Sequence, residues 1–306
     1  MKDTRLTGLI AAAFTPFDAD LRLRLEMVPK IASHLKKQGV SGTLIGGTTG
    51  EWASMTLDER RRLAVAWRSA VGKEFKMAVH VGHNCLDDCR DLARHAESIE
   101  ADAIAALMPS FFRPGSMDAL LEFCRGIASA APNTPFYYYH IPEMTGVDFS
   151  MYEFVTQAIR SIPTFRGIKF TFYNLMDFSL TLNAAGEQYD VLFGRDEFLL
   201  AGLAMGASGA IGSTYNYAGN LYGRMMAAYA AGDSKEALAE QIRVQKMVIP
   251  LVKHGGGVAA GKAIMGLEGV NCGHPRPPLK PVTGGKLATL KADLDALDFF
   301  TQAGIA

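Results

Sequence analysis

The sequence lacks the charge pattern that marks nucleic-acid-binding proteins. Lys plus Arg and Asp plus Glu both number 31 in a chain of 306 residues, so the formal net charge is zero. No local block of basic residues stands out that would bind a phosphate backbone. We therefore expect the partner to be a small molecule or another copy of the same chain, and not a nucleic acid.

Cysteine and long apolar runs are also scarce. Four cysteines in a chain of this size do not make a disulfide framework, which favours a reducing cytoplasm. The apolar stretch near the N-terminus is interrupted by Pro16 and Asp18. It is too short to span a bilayer and is more typical of a first strand than of a signal sequence. We expect a cytoplasmic protein without a membrane partner.

What the sequence does contain is a repeated pattern of short apolar runs. Hydrophobic residues make up 49% of the chain, enough for a full core. Eight runs begin near residues 8, 41, 76, 101, 135, 165, 189 and 207. Most of them begin roughly 25 to 35 residues after the previous one, which is the length of one strand-helix unit. Runs that are apolar on both faces suit parallel strands covered by helices.

This pattern predicts an α/β protein, a (β/α)8 TIM barrel with additional C-terminal helices. The alternative is a doubly wound sheet, but no Gly-x-Gly-x-x-Gly motif follows the first strand to support it. We expect the barrel to occupy residues 1–220. Residues 221–306 are expected to form a helical extension packed as part of the same domain, with a long helix broken at Pro250. Between strands, Thr56 and Glu59 predict a capping box at the start of a helix.

The sixth run places a lysine among apolar residues. Side chains alternate along a strand, so Gly167, Lys169 and Thr171 face one way while Ile168 and Phe170 face the other. The bulky apolar pair suits packing against outer helices, which directs Lys169 into the barrel. Its position near the C-terminal end of the strand is where barrel enzymes carry catalytic residues.

Other polar groups follow strands at the same end. Tyr139 ends the fifth run, "GGTTGE" at 46–51 follows the second, "GRDE" follows the seventh, and "GSTYN" follows the eighth. Glycines around two threonines leave backbone N–H groups free to hold a carboxylate. Each feature alone has an ordinary structural explanation: a snorkelling lysine, a β-prone tyrosine, a turn, or acids that cap a helix. Their occurrence at the same strand ends favours a function.

The expected chemistry is nucleophilic catalysis by an amine. A desolvated lysine loses its proton more readily and becomes nucleophilic near neutral pH. It can condense with a ketone, and the iminium then accepts electrons as a carbon–carbon bond breaks. Tyr139 is the nearest group that could move the hydroxyl proton that this reaction requires. No metal and no cofactor are needed.

Several motifs resemble a known family in their order and spacing. "GGTTGE", "YYYHIPEMTGV", "GIKFT", "GRDE" and "GAIGSTYN" are similar to those of the dihydrodipicolinate synthase/N-acetylneuraminate lyase family of class I pyruvate aldolases. The resemblance covers residues 7 to about 280, including "PRPPL" at 275–279. It implies a homotetrameric lyase of the aldolase type that acts on small 2-keto sugar acids.

The resemblance also implies roles for individual residues. Lys169 corresponds to the Schiff-base lysine and Tyr139 to the proton-transfer residue. In the lyase branch of the family, ten residues would take part in catalysis or bind the substrate. Besides those two, Gly47, Thr48 and Thr49 would hold the pyruvate carboxylate, and Thr171, Gly194, Asp196, Glu197 and Ser213 the polyhydroxyl tail. That branch implies reversible cleavage of N-acetylneuraminate to pyruvate and N-acetylmannosamine.

Alternative functions differ in the second substrate. In the synthase branch, the similar motif contains an arginine that binds the carboxylate of the second substrate. This chain has Met144 at that position, and a methionine cannot form a bidentate pair with a carboxylate. A sister aldolase acting on another acid, such as 2-keto-3-deoxygluconate, remains open, as does a non-catalytic keto-acid sensor. Phe111 and Phe112 occupy the region where many bacterial members of the family have a tyrosine that reaches the neighbouring subunit's site. The proton relay through that phenol is therefore missing here. Arg195 within "GRDE" is unusual and could bias the tail pocket toward an acidic substrate.

Two further motifs do not fit the functions they superficially suggest. "GGVAAGKA" at 256–263 has Ala263 where a phosphate-binding loop needs Ser or Thr. His80, His83, Cys85 and Cys89 lie close in sequence, but no tetrahedral ligand spacing completes a zinc site. We expect no metal.

Overall fold

Eight parallel strands form a closed barrel in the computed structural model, which describes residues 5–304. The strands are β1 Gly8–Ala12, β2 Gly42–Ile45, β3 Lys76–His80, β4 Ala103–Ala106, β5 Phe136–His140, β6 Phe165–Phe170, β7 Asp190–Phe193 and β8 Gly209–Gly212. Each strand pairs with the next one along the chain, and β1 closes the barrel against β8. The predicted (β/α)8 barrel is confirmed.

Helices follow every strand and cover the outside of the barrel. They are α1 Val28–Lys37, α2 Leu57–Ala70, α3 Leu86–Ser98, α4 Met117–Ala128, α5 Pro142–Thr145, α6 Met151–Ser161, α7 Leu175–Ala185, α8 Leu199–Ala204 and α9 Tyr215–Ala230. The additional helices are α10 Ser234–Lys253, α11 Gly256–Leu267, α12 Gly284–Asp295 and α13 Phe299–Gln302. Within residues 5–304, no helix is both long and apolar enough to cross a bilayer.

Two helix predictions have different outcomes. The capping box at the start of α2 is confirmed, because Thr56 accepts from the Glu59 N–H and the Glu59 side chain accepts from the Thr56 N–H. The predicted break at Pro250 is wrong, because α10 continues to Lys253. Proline removes one backbone donor. Here that donor belongs to the last turn, and Pro250 is buried in the packing of the helix.

Two layers of apolar side chains confirm the predicted strand phase. Ile168 and Phe170 belong to the large cluster between barrel and helices. A separate cluster fills the barrel interior: Leu6, Ile10, Ala12, Leu44, Ala78, Ala103, Ala105, Tyr137, Leu192 and Ile211. Many of these side chains are small, which leaves room for longer polar groups near the mouth. Lys169 and Tyr139 lie on this interior face, above Tyr137.

The register between β5 and β6 shifts near its beginning. Phe136 pairs with Phe165, but Tyr137 pairs with Gly167, so Arg166 is an extra residue on β6. From there the pairing is regular, and Tyr139 is opposite Lys169. A bulge of this kind re-aims the side chains that follow it. In this barrel it places the two predicted catalytic residues at the same level.

The additional helices reach the mouth of the barrel. The last barrel helix, α9, extends past position 220, where the extension was expected to begin. The chain then turns back in α10, which packs mainly against α9. The side chains of Val248, Leu251 and Val252 in α10 border the cavity at the C-terminal ends of the strands. The extension therefore contributes one wall of that cavity.

Candidate active site

A cavity of about 320 Å³ opens at the C-terminal ends of the barrel strands. Nine of the ten predicted site residues line it: Thr48, Thr49, Tyr139, Lys169, Thr171, Gly194, Asp196, Glu197 and Ser213. The tenth, Gly47, precedes Thr48 but is not among the lining residues, and its carbonyl accepts a hydrogen bond from the Trp52 N–H at 3.2 Å. Residues distant in sequence are thus brought to one pocket.

Lys169 and Tyr139 form the centre of this cavity. They are paired on adjacent strands, and the Lys169 Nζ lies 4.1 Å from the centroid of the Tyr139 ring. Both side chains are almost entirely buried, with 4% and 3% of their residue surface exposed. An ammonium group over an aromatic face is attracted by the ring's quadrupole. The ring therefore helps to hold the lysine in the barrel.

The hydroxyl of Thr48 contacts the same tyrosine. Its Oγ1 lies 3.2 Å from the Tyr139 Oη, so either hydroxyl can donate to the other. The turn that carries Thr48 is closed by the Glu51 N–H, which donates to the Thr48 carbonyl at 3.0 Å. Glu51 itself has a left-handed backbone, with φ of 59°. This strained conformation is uncommon for a residue with a side chain and needs support from its surroundings.

A buried ion pair supplies that support. The Glu51 carboxylate lies 2.6 Å from the Lys262 Nζ in α11, and both side chains are 1% exposed. Its second oxygen accepts from the Arg276 N–H at 2.7 Å. Burial lowers the pKa of Lys262, while the charge of Glu51 and its hydrogen bond oppose that shift. This pair could not be predicted from the sequence, because Glu51 follows the second strand and Lys262 lies far along the chain in α11.

Asp196 is fixed by hydrogen bonds from the end of β8. Its carboxylate accepts from the Thr214 N–H at 2.8 Å and from the Thr214 Oγ1 at 2.7 Å. Burial raises the pKa of Asp196, whereas those hydrogen bonds and the charge of Lys169 lower it. Gly212 is required beside it, since a Cβ there would overlap the carboxylate. Thr214 was not predicted; a hydroxyl residue after a strand is too common to single out.

Glu197 lies at the outer part of the cavity in a more charged setting. Burial raises the pKa of Glu197, with Asp196 and Glu143 adding to the effect and Arg195 opposing it. The Arg195 Nη1 is 3.9 Å from the Glu197 Oε1. Arg195 also forms an ion pair with Glu143 and lies over the Tyr173 ring, with 3.9 Å from the Cζ to the centroid.

Thr171 presents a hydroxyl that is available for a ligand. It is buried and lines the cavity, and its Oγ1 has no hydrogen-bond partner among residues 5–304. A Cβ on Gly194 would overlap this hydroxyl, so glycine there leaves the group its space. A buried donor without a partner is costly unless a bound molecule satisfies it. A substrate hydroxyl would do so.

Several other residues singled out from the sequence lie outside the cavity. Phe111 and Phe112 are 79% and 86% exposed and pack edge to face against each other, with 5.0 Å between ring centroids. His80 lies behind Tyr139 and is hydrogen-bonded with Arg60, and burial lowers the pKa of His80 well below its usual range. Among the described residues, no group of three His, Cys, Asp or Glu side chains could hold a metal ion. Lys262 of "GGVAAGKA" lies within the helix α11.

A second cavity, of about 590 Å³, lies at the opposite end of the barrel. It is bordered by residues near the N-terminal ends of β7 and β8, including Asp190 and Ser208. None of the ten predicted site residues borders it. Size alone therefore does not mark the active site, whereas the convergence of Lys169, Tyr139 and Asp196 does.

Comparison with known proteins agrees with the geometry of this site. Residues 5–297 match the profile of the dihydrodipicolinate synthetase family. The chain belongs to that family. The predicted family resemblance is confirmed, and with it the expectation of a carbon–carbon lyase of the class I aldolase type.

Relatives within the family are similar over almost the whole chain. N-acetylneuraminate lyase A of Xenopus laevis is 45% identical over 278 residues, covering 90% of this chain and 91% of the relative. N-acetylneuraminate lyase of Mus musculus is 40% identical over 305 residues, covering 98% and 95%. The solved structure of Proteus mirabilis N-acetylneuraminate lyase has 40% identity and a TM-score of 0.93, covering 96% and 99%. That of Aliivibrio salmonicida has 41% identity and a TM-score of 0.93, covering 98% of each chain.

Proposed function

We propose that this protein reversibly cleaves N-acetylneuraminate to pyruvate and N-acetylmannosamine through a Schiff base on Lys169. The observation that carries the proposal is the pairing of Lys169 with Tyr139 in a buried cavity, with the Thr48 hydroxyl 3.2 Å from the phenol. A nucleophile, a proton carrier and a hydroxyl donor then surround one reacting centre. The similarity to N-acetylneuraminate lyases supports the choice of substrate.

The reaction begins with attack of the neutral Lys169 amine on the keto carbon of the open-chain sugar. Water leaves, and an iminium links the nitrogen to that carbon. Tyr139 then takes the proton from the C4 hydroxyl and passes its own phenolic proton through the Thr48 hydroxyl to water, while the C3–C4 bond breaks. The bonding electrons move into the iminium and give an enamine, and N-acetylmannosamine leaves as an aldehyde. Protonation of the enamine at C3 and hydrolysis release pyruvate and restore the lysine.

The carboxylate of the sugar acid is assigned to the turn after β2. Thr48 and Thr49 line the cavity beside Tyr139, and backbone N–H groups in glycine-rich turns suit an anion. Gly47 would act only through the shape of that turn, since it does not line the cavity. Anchoring the carboxylate there directs the keto carbon toward Lys169.

The polyhydroxyl tail is assigned to the opposite wall. Asp196 and Glu197 can accept hydrogen bonds from neighbouring hydroxyls, and the free Thr171 hydroxyl can bind a third. Gly194 leaves space for Thr171, and Ser213 borders the same wall. Several hydroxyl-binding groups along one wall suit a long polyol better than a short one.

The cellular and quaternary setting is part of this proposal. Four free cysteines, three of them buried, support a reducing cytoplasm. The exposed Phe111 and Phe112 support assembly with further copies of the chain, and we infer a homotetramer. Because α10 borders the cavity, we also infer that residues 221–306 pack as part of the same domain as the barrel.

Borohydride trapping tests the proposed chemistry and substrate together. The protein is incubated with N-acetylneuraminate alone, quenched with borohydride, and analysed by intact mass and peptide mapping. A pyruvyl-sized adduct on Lys169 means that the sugar was cleaved and left its keto fragment there. An adduct that forms only with pyruvate or with 2-keto-3-deoxygluconate contradicts the substrate but retains the chemistry. No adduct with any of them contradicts both.

A further inference from the structure

Three loops meet at the outer rim of the cavity through one arginine. Arg195 follows β7, Glu143 lies in α5 after β5, and Tyr173 follows β6. The Arg195 Nη2 is ion-paired with Glu143, and its guanidinium stacks on the Tyr173 ring. We call these three residues the rim triad.

The arginine of the rim triad is largely enclosed, although its partners are more open. The Arg195 side chain is 14% exposed and borders the cavity, whereas Glu143 is 46% exposed. A stacked guanidinium that also holds a carboxylate has little rotational freedom left. The arginine is therefore held as a fixed part of the wall and not as a mobile arm that extends into solvent.

The charges on this wall are unevenly balanced. Arg195 is flanked by Glu143 through its Nη2 and by Glu197 at 3.9 Å from its Nη1. Asp196 lies deeper on the same wall. Arg195 thus lies between two carboxylates, so its positive charge is already neutralised before any substrate binds. The tail end of the cavity is a poor place for a further negative charge.

We propose that Arg195 is a specificity-determining residue, and that its pairing with Glu143 makes the cavity select 2-keto acids with an uncharged polyhydroxyl tail over acids whose tail carries a phosphate group. This inference rests on the proposed function and defines the substrate class of the same site. The sequence analysis suggested that Arg195 could favour an acidic substrate. The ion pair with Glu143 favours the opposite preference, because the guanidinium already has a carboxylate partner.

The cavity would reject a tail that carries a phosphate because the acidic side chains of this wall repel it. A phosphate on the terminal carbon of the tail would have to displace the Glu143 carboxylate from Arg195 or remain beside Glu197 and Asp196. Like charges brought together at an interface disfavour the wrong ligand strongly. Replacing Glu143 with a neutral side chain would free the guanidinium for the phosphate.

The test compares two substrates across four proteins. The substrates are N-acetylneuraminate and the same sugar esterified with phosphate on its terminal hydroxyl. The proteins are wild type, Glu143→Gln, Arg195→Gln and the double variant. We expect wild type to prefer the uncharged sugar in kcat/KM, and Glu143→Gln to shift the ratio toward the phosphorylated sugar by about tenfold. The shift should be absent in the double variant, where no guanidinium remains to bind the phosphate.

A matched control and the contrary outcomes complete the design. Glu236→Gln removes another exposed glutamate paired with an arginine, Arg243 in α10, and should leave the ratio unchanged. An unchanged ratio in Glu143→Gln overturns the inference, as does an equal shift in the double variant, which would assign the effect to the charge of Glu143 alone. Failure of wild type to cleave the uncharged sugar would instead contradict the proposed function. Cleavage with an unaltered ratio contradicts only the role of Arg195.

Discussion

The ammonium group of Lys169 lies 4.1 Å from the centroid of the Tyr139 ring, and the two residues are register partners on β6 and β5. Strand pairing therefore sets their separation, and the loops of the barrel mouth do not. A catalytic pair carried by rigid elements is held more closely than one carried by loops.

Replacing Lys169 with alanine should abolish turnover. The covalent nucleophile is lost, and we expect residual activity below about a thousandth of wild type. Cleavage is measured as pyruvate released from N-acetylneuraminate. Lys291→Ala removes an exposed lysine in α12 and should retain wild-type activity. Activity of Lys169→Ala above that fraction would contradict the Schiff-base mechanism.

Tyr139→Phe should separate imine formation from cleavage. The ring that faces the Lys169 ammonium remains, but the hydroxyl that takes the C4 proton is gone. We expect a pyruvate adduct to be trapped by borohydride as in wild type, while kcat falls by about a hundredfold or more. An unchanged kcat would remove Tyr139 from the mechanism.

Gly212→Ala should damage the tail-binding wall. The new methyl group would overlap the Asp196 carboxylate, which Thr214 holds from the other side. Overpacking of this kind costs about 1 to 3 kcal/mol, and we expect the displaced Asp196 to raise KM more than tenfold. The control is Gly223→Ala in α9, where a Cβ meets nothing within 4 Å. Equal kinetics for the two variants would show that Asp196 does not bind substrate.

Glu268→Gln should stabilise the protein in a pH-dependent way. Burial raises the pKa of Glu268 from 4.5 to about 7, with His34 opposing the shift from 3.1 Å. The folded protein keeps a proton that the unfolded chain releases, so stability present below pH 4.5 is lost as the pH rises to about 7. Glutamine stays neutral throughout and avoids that loss.

The effect of Glu268→Gln is read from urea unfolding at pH 5 and pH 8. We expect the variant to gain on the order of 2 kcal/mol in unfolding free energy, relative to wild type, between the two pH values. Glu236→Gln, at an exposed site in α10, should change by less than about 0.5 kcal/mol. The same difference from wild type at both pH values would contradict a raised pKa for Glu268.

The eight strands and the centre of the site, Lys169 and Tyr139, could be predicted because both follow from local sequence patterns. Each β-strand appeared as a short apolar run, and alternation along β6 was enough to direct Lys169 inward and Phe170 outward. The carboxyl ends of parallel strands meet at one end of a barrel, so residues after β2, β5, β7 and β8 could be grouped without knowing any distance.

What could not be predicted depends on contacts between distant segments. No sequence rule pairs Glu51 with Lys262, or directs Val252 of α10 to the cavity, since both need the helices to be placed first. The predicted helix break at Pro250 was wrong for a related reason. Proline removes one backbone hydrogen bond, but tertiary packing and the position of Pro250 in the last turn of α10 outweigh that loss. The partner of Arg195 was likewise hidden, because Glu143 lies 52 residues away in the sequence.

The extra residue at position 166 makes the active site sensitive to chain length. Without the register shift at Arg166, Tyr139 would lie opposite Ile168, and every later side chain of β6 would exchange the inside of the barrel for the outside. A lysine on that outer side would lie among the helices and out of reach of a sugar. Deletion of one residue between Phe165 and Lys169 would therefore only remove the bulge and keep Lys169 opposite Tyr139, whereas insertion of one residue there would bring Ile168 to that level and remove catalysis.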